Sequence, residues 1–189
     1  MHWRLLNLVR QTQGSALIEF AIVLPLLVVF VVGIYDFSGA YNQKQKIEHA
    51  AQVGAIVAGA QPTSDMNSSV AKPDSLQAVV TVIFNSLVAD SVLPVANPAT
   101  CTPVAATVVH SNLAWTYTIS GCSSVPGDLV ITIDRGVVAV GQPSIVSTSV
   151  TVSYPYHWRF NSAIQLLLPG STYAATTDLR ETSIVHNQT

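Results

Sequence analysis

The side chains that could do chemistry are scattered along this chain and form no catalytic or metal-binding motif. The histidines include no pair four residues apart and no acidic neighbour at ligand spacing. The serines lack a Gly-x-Ser-x-Gly context, and no glycine-rich phosphate loop follows a strand-like run. Asp128 and Asp134 share one predicted strand and point the same way, but about 20 Å apart. We therefore predict no enzyme, no metal, no cofactor and no small-molecule substrate.

Two cysteines, Cys101 and Cys122, could form a disulfide across the 20 residues between them. In an oxidising compartment, closing a loop of this length stabilises the fold by about 3 kcal/mol. Neither cysteine belongs to a Cys-x-x-Cys pair, so redox catalysis has no support. Two free buried thiols are the alternative interpretation.

A single carboxylate, Glu19, stands at the head of the most apolar part of the chain. Between Glu19 and Asp36 lie 16 residues without a formal charge. As a helix they span about 24 Å, which is short of a hydrocarbon core of about 30 Å. A membrane helix must therefore include Ser15 to Ile18, and Glu19 then falls inside the apolar zone. A charge near the bilayer centre costs about 2.5 to 3.5 kcal/mol and less toward the interface, and such a residue usually has a partner.

No basic residue on the same helix face lies within one turn of Glu19, and the last one before it is Arg10. Cleavage of the chain between Gly14 and Ser15 would create a positive amino group four residues before the carboxylate. In a helical assembly that amine could meet the Glu19 carboxylate of a neighbouring subunit. Glu19 would then set the register between helices.

The run of Gly14, "SALI" and Glu19-Phe20 before an apolar helix resembles the processing site of type IV prepilins. The resemblance is to the tight-adherence (Tad/Flp) branch, in which the peptidase cuts after the glycine. The longer run from Gly14 to Gly59 resembles the N-terminal module of TadE-like pseudopilins, and it covers roughly the first third of the chain. Its other matching features are Leu24-Pro25, the exit from the apolar run at Gly33 to Phe37, and the alanine-rich segment from Ala50. The closing "TYAATTDLRETS" is a weaker match.

This resemblance implies a minor pseudopilin that takes part in assembling tight-adherence pili. The implied partners are prepilin peptidase, the Tad/Flp pilus machinery, other pilins or pseudopilins, and the membrane. The implied location is the bacterial inner membrane, crossed once, with the N-terminus cytoplasmic and the C-terminal domain periplasmic or extracellular. Two alternatives stay open: a secretory signal cleaved near Ser38 to Ala40, and an uncleaved membrane-anchored binding module with an extracytoplasmic β-rich domain.

The charge distribution fits this orientation and argues against nucleic acid as a partner. Arg4 and Arg10 precede the apolar run without any acidic residue, whereas Gln61 to Thr189 holds four basic residues against seven carboxylates. No basic stripe is present to neutralise phosphates. Lys44 and Lys46, beyond the apolar run, weaken the contrast.

The period of the apolar residues predicts an α+β fold in four parts. A long N-terminal helix continues past the membrane into a pilin-like exported domain, which has a short helix and an antiparallel sheet of about four to five strands. The predicted parts are a basic leader at 1–14, a helix at 15–60 with its transmembrane segment at about 16–35, a linker at 61–75, and the exported domain at 76–189.

A row of small residues, Ala50, Gly54 and Ala58, follows the apolar run at helical spacing and allows another backbone to approach closely. It could be an interface between subunits. The preferred interpretation is that the exported domain of the same chain packs on this face.

The second predicted helix begins with Asp74 or Ser75 as its cap and turns Leu76, Val79, Val80, Ile83, Leu87 and Val88 to the core. Strand-like runs follow at 102–110, 113–120, 128–134 and 144–154, and a last strand is predicted at 172–182. Cys101 and Cys122 bracket the first hairpin. The aromatic cluster Tyr154 to Trp158 is expected to pack over the end of the sheet, with an exposed contact surface as the alternative. The run "IQLLLP", 164–169, is either a buried helical turn or a docking segment.

Overall fold

The computed structural model describes residues 3–66, 70–93, 100–139, 142–159 and 176–188. Over these residues the chain forms two α-helices and a five-stranded antiparallel sheet, which confirms the predicted α+β class and strand number. The predicted segment 164–169 lies outside the described residues. The elements are α1 (Trp3–Ala60), α2 (Asp74–Ala89), β1 (Thr107–Ser111), β2 (Ala114–Ile119), β3 (Leu129–Ala139), β4 (Gln142–His157) and β5 (Thr176–His186).

The chain divides into two compact units. The first contains α1 up to Gly39 together with Trp158 and Arg159, and the second contains residues 40–157 and those from Thr176 onward. Helix α1 runs without a break through Pro25, although proline has no N–H to donate to the carbonyl of Ala21. The helix ends at Ala60, where the sequence pattern predicted its end.

In the second unit, the C-terminal part of α1 and the whole of α2 cover one face of the sheet. Ile47, Ala51 and Ala55 of α1 are fully buried, because the helix turns every fourth residue to the core. The sheet contributes alternate residues from its central strands, as expected for a sheet with one buried face. These are Trp115, Tyr117, Ile119, Leu129, Ile131, Ile133, Val150 and Val152, all at 0% exposure.

The five strands pair in sequence order as a meander, but the predicted ends of several strands were wrong. The first predicted strand begins instead with a turn of 3-10 helix, Pro103–Ala105. The Ala105 N–H donates a hydrogen bond to the Thr102 hydroxyl oxygen. β3 continues past Asp134 through a change of register before Val137. β5 extends to His186, beyond the predicted end at Thr182.

The disulfide between Cys101 and Cys122 is present and lies at the open end of the β1–β2 hairpin, as predicted. The hydroxyl of Tyr154, which is 4% exposed, donates to the Cys122 carbonyl at 3.0 Å. Burial raises the pKa of Tyr154 and so keeps it a neutral donor. The residues Tyr154 to His157 are the last four residues of β4, so the strand extends three residues beyond its predicted end at Tyr154.

The cap of α2 comes from a residue that sequence reasoning did not select. Pro73 occupies the N-cap position and makes no side-chain hydrogen bond, so the prediction of Asp74 or Ser75 as the cap was wrong. Instead, the carboxylate of Asp65 accepts from the Ser75 N–H at 2.9 Å and from its hydroxyl at 2.8 Å. The hydrogen bond from the Ser75 backbone, more than the one from its hydroxyl, holds the pKa of Asp65 below its usual value.

Asp65→Ala is expected to destabilise the fold by about 1 kcal/mol, because the first turn of α2 loses its acceptor. A carboxyl whose folded pKa is lowered stabilises the protein above its unfolded pKa of about 3.9, and this contribution disappears as the pH falls through the folded value. Urea unfolding of the full chain in detergent, followed between neutral and acidic pH, measures both effects. Asp65→Asn is the matched control because it keeps one acceptor and does not titrate. If acidification lowers the free energy of unfolding equally in Asp65→Ala and in the parent chain, Asp65 is not the titrating acceptor at the start of α2.

Arg135 lies in the interior near the C-terminal end of α1. Its side chain is 2% exposed, and Nη2 donates to the Gln61 carbonyl at 3.0 Å. Burial lowers the pKa of the guanidinium. Among the described residues, Nε and Nη1 have no hydrogen-bond partner. Because the last turn of α1 carries no basic residue of its own, Arg135 brings a positive charge to the negative end of the helix dipole.

Candidate functional site at the head of the N-terminal helix

Gly14, Ser15 and Glu19 lie on an uninterrupted stretch of α1, and the fold thereby fixes their geometry. Residues four apart in a helix lie on the same face, one turn above the other. The Ser15 hydroxyl donates to Glu19 Oε1 at 3.5 Å, at the exposed surface of the helix. The Glu19 carboxylate thus reaches back to the residue that would carry the new amino group after cleavage.

Gly14 has no packing role among the described residues. A Cβ built at this position meets no atom within 4 Å. Glycine within a helix costs about 0.5 to 1 kcal/mol relative to alanine. The described fold therefore does not require glycine at this position.

The motif residues after Glu19 lie on a helix surface that this chain leaves uncovered. Phe20 is 62% exposed and Leu24 45% exposed, while Pro25 is partly buried. The most apolar stretch of the helix has a mean hydropathy of 2.9 and no buried residues. This helix is long and apolar enough to cross a membrane. A continuous apolar surface of this size requires lipid or other apolar helices around it.

The small-residue row occupies a separate place, in the second unit. Ala50 and Ala58 are fully buried, and Gly54 lies against α2 and β4. A Cβ at Gly54 would lie 2.4 Å from Cγ1 of Ile83. In the described chain, the row is therefore where α1 contacts its own domain, and it does not join Gly14 and Glu19 in one site.

Sequence reasoning missed the polar contacts that link α1 to the rest of the second unit. Lys44 Nζ lies 3.1 Å from Glu181 Oε1, and His49 Nδ1 lies 3.5 Å from Asp90 Oδ2. Each pair joins residues more than 40 positions apart, so no local pattern could have indicated them. They are partly exposed, and such pairs contribute roughly 0 to 1 kcal/mol. Glu181 compensates the Lys44 charge just beyond the apolar run.

No group of three or more histidine, cysteine or acidic side chains within the described ranges could hold a metal ion. The arrangement at the head of α1 instead presents a peptide bond, a small residue and a carboxylate before an apolar helix. A carboxylate and a continuous apolar surface are thus exposed on this part of the helix.

Comparison with known protein families matches part of the chain. The family described as TadE-like protein matches residues 14–55. No curated protein and no solved structure matches the chain. The matched segment begins at Gly14 and includes the apolar helix and Ala50 and Gly54 of the buried row. Over residues 14–55, the chain is therefore similar to the TadE-like proteins associated with tight-adherence pili.

Proposed function

We propose that this chain is a minor pseudopilin of the tight-adherence pilus system and that prepilin peptidase cleaves it after Gly14. The observation that carries the proposal is Gly14 itself. It starts the segment that matches the TadE-like family, yet no described residue packs closely enough against it to require glycine. A protease that must approach the backbone closely gives a reason for glycine at this position.

The proposed orientation places the leader, residues 1–14, in the cytoplasm and the domain of 76–189 outside the inner membrane. Arg4 and Arg10 support it, because basic residues are retained on the cytoplasmic side. The disulfide between Cys101 and Cys122 supports it as well, because such bonds persist in oxidising compartments such as the periplasm. The linker proposed for 61–75 connects the helix to the domain and supplies Asp65 to α2.

In this proposal, cleavage changes the electrostatics at the head of α1. The new ammonium group on Ser15 lies one turn from the Glu19 carboxylate, which already contacts the Ser15 side chain. Pairing the two charges offsets the cost of placing Glu19 in the apolar zone. The same pair can form between subunits, where Glu19 would set the register of one helix against the next. Other pilins or pseudopilins and the Tad/Flp machinery are the partners on the apolar surface.

The native N-terminus tests this proposal. We expect the mature chain isolated from its own membranes to begin at Ser15, as measured by intact mass and N-terminal sequencing. A chain that retains Arg4 and Arg10 would overturn processing and support the uncleaved membrane-anchored binding module. A chain that begins near Ala40 would instead indicate a secretory signal.

Glu19→Gln is expected to insert into the membrane as well as the parent chain, because the substitution removes a charge from the apolar zone. It is expected to associate less with pilus components, because the amine on Ser15 loses its counter-charge. Cross-linking to pilus subunits in cells measures the association, and resistance to alkaline extraction measures insertion. Ser15→Ala, which removes only the hydroxyl contact, is the matched control. Unchanged cross-linking of the Gln variant would remove the proposed role of Glu19.

A further inference from the structure

An aromatic pair in the first unit links the end of the apolar run to a residue far along the chain. The rings of Phe37 and Trp158 meet edge to face, with centroids 5.3 Å apart and an interplanar angle of 63°. Trp158 directly follows β4, and it belongs to the same compact unit as α1 up to Gly39. A residue from the sheet portion of the sequence therefore lies beside the helix where the helix leaves its apolar stretch.

Beside this pair, aromatic side chains of α1 are exposed and an acidic side chain is buried. Tyr35 and Phe37 are 70% and 65% exposed, whereas Asp36 between them is 2% exposed. Successive helical residues point about 100° apart, so the carboxylate is turned inward while the two rings on either side are turned outward. The acidic residue that ends the charge-free run thus places no charge on the outer surface at this level.

This composition matches the boundary between a bilayer and water. Tryptophan and tyrosine are enriched at that boundary, since an apolar ring can enter the acyl region while its N–H or O–H stays hydrated. Arg159, the next residue, is exposed, and a guanidinium binds phosphate oxygens well. The Trp158 ring is therefore suited to the acyl boundary of a leaflet, and the neighbouring Arg159 guanidinium is suited to its phosphate layer.

We propose that Trp158, with Tyr35 and Phe37, is an interfacial membrane anchor that inserts at the headgroup boundary on the exported side. Its partner is phospholipid, contacted by the Trp158 ring and the Arg159 guanidinium. The inference rests on the proposed membrane anchoring of α1. It adds a second point at which the chain meets the bilayer, supplied by the residues after β4.

Tryptophan fluorescence of the full chain in phospholipid vesicles tests this anchor. The chain has three tryptophans, and Trp115 is fully buried in the core, so it serves as an internal reference. Trp3→Phe removes one emitter, and the difference between this variant and Trp3→Phe with Trp158→Phe isolates Trp158. We expect lipids brominated near the headgroup to remove most of the Trp158 emission and lipids brominated deep in the acyl chains to remove less. Trp115 should be unaffected by either lipid.

A reporter in the helix separates failure of this inference from failure of the anchor. Phe30→Trp, in the background lacking Trp3 and Trp158, places the probe on the exposed apolar surface of α1. Quenching of this reporter by deep bromines shows that α1 is inserted. If it is quenched while Trp158 stays accessible only to aqueous acrylamide, the interfacial anchor is overturned. If pilus subunits and not lipids shield Trp158 from acrylamide, the site is a protein contact and the inference is likewise overturned.

Discussion

A chain carrying Gly14→Leu is expected to keep its leader entirely when it is expressed with prepilin peptidase. The four added carbons lie beside the bond to be cut, and a protease that fits a glycine there loses its approach to the backbone. The substitution should not disturb the fold, since a Cβ at position 14 meets no described atom. Leucine is also a better helix former than glycine by nearly 1 kcal/mol. Intact-mass measurement of the membrane fraction gives the processed share directly.

The control for this experiment is the same substitution at another glycine of α1. Gly54→Leu leaves the sequence around Gly14 unchanged, so we expect normal processing of the chains that reach the membrane. Full processing of Gly14→Leu would contradict a cleavage site at this glycine. Loss of processing in both variants would indicate a general failure of insertion and not a specific block.

Gly54→Leu is expected to destabilise the second unit by about 3 kcal/mol or more, at the upper end for overpacked cores. A Cβ alone would overlap Ile83, at 2.4 and 2.5 Å from two of its carbons, and leucine adds three further carbons. The helix face around it is fully buried at Ala50 and Ala58, so α1 cannot shift without losing other contacts. Urea unfolding of the full chain in detergent, monitored by the buried Trp115, measures the change.

Two variants sharpen the test at Gly54. Ile56→Leu, two residues along at a position that is 55% exposed, should change stability by less than about 0.5 kcal/mol. Adding Ile83→Ala to Gly54→Leu should recover part of the loss, because the overlapping side chain is removed. An unfolding midpoint of Gly54→Leu equal to that of the parent chain would mean that α1 does not pack on α2 as described.

Elements with strong local periodicity could be predicted from the sequence. Helix α1 ends at Ala60, where its small residues give way to glycine-, proline- and serine-rich sequence. Five residues of α2 that were predicted to face the core are buried, while Val88 is 36% exposed near the helix end. The five-strand meander follows from alternating residues and turn signals. The disulfide was predicted from two cysteines that bracket the first hairpin.

Features that depend on distant partners could not be predicted. The acceptor for Ser75 is Asp65, ten residues earlier in a segment that has only loop composition. β3 extends beyond its predicted end because the strand accommodates an irregularity near Gly136. The Gly136 N–H donates a hydrogen bond to the Asp134 carboxylate there. Arg135 lies within that irregularity, and its partner Gln61 is 74 positions away. Local sequence describes propensity, whereas these contacts depend on which segments the sheet brings together.

The hydrogen bonds at the end of α1 have a mechanical consequence. Two carbonyls there, those of Gly59 and Gln61, accept from Gln188 N–H at 3.2 Å and from Arg135 at 3.0 Å. One donor, Arg135, belongs to β3, and the other, Gln188, lies two residues after the end of β5. A force along the helix axis is therefore transmitted to the sheet through these two hydrogen bonds as well as through the chain itself. The peptide that leaves α1 carries only part of the load, so the domain can resist traction that would straighten a free linker.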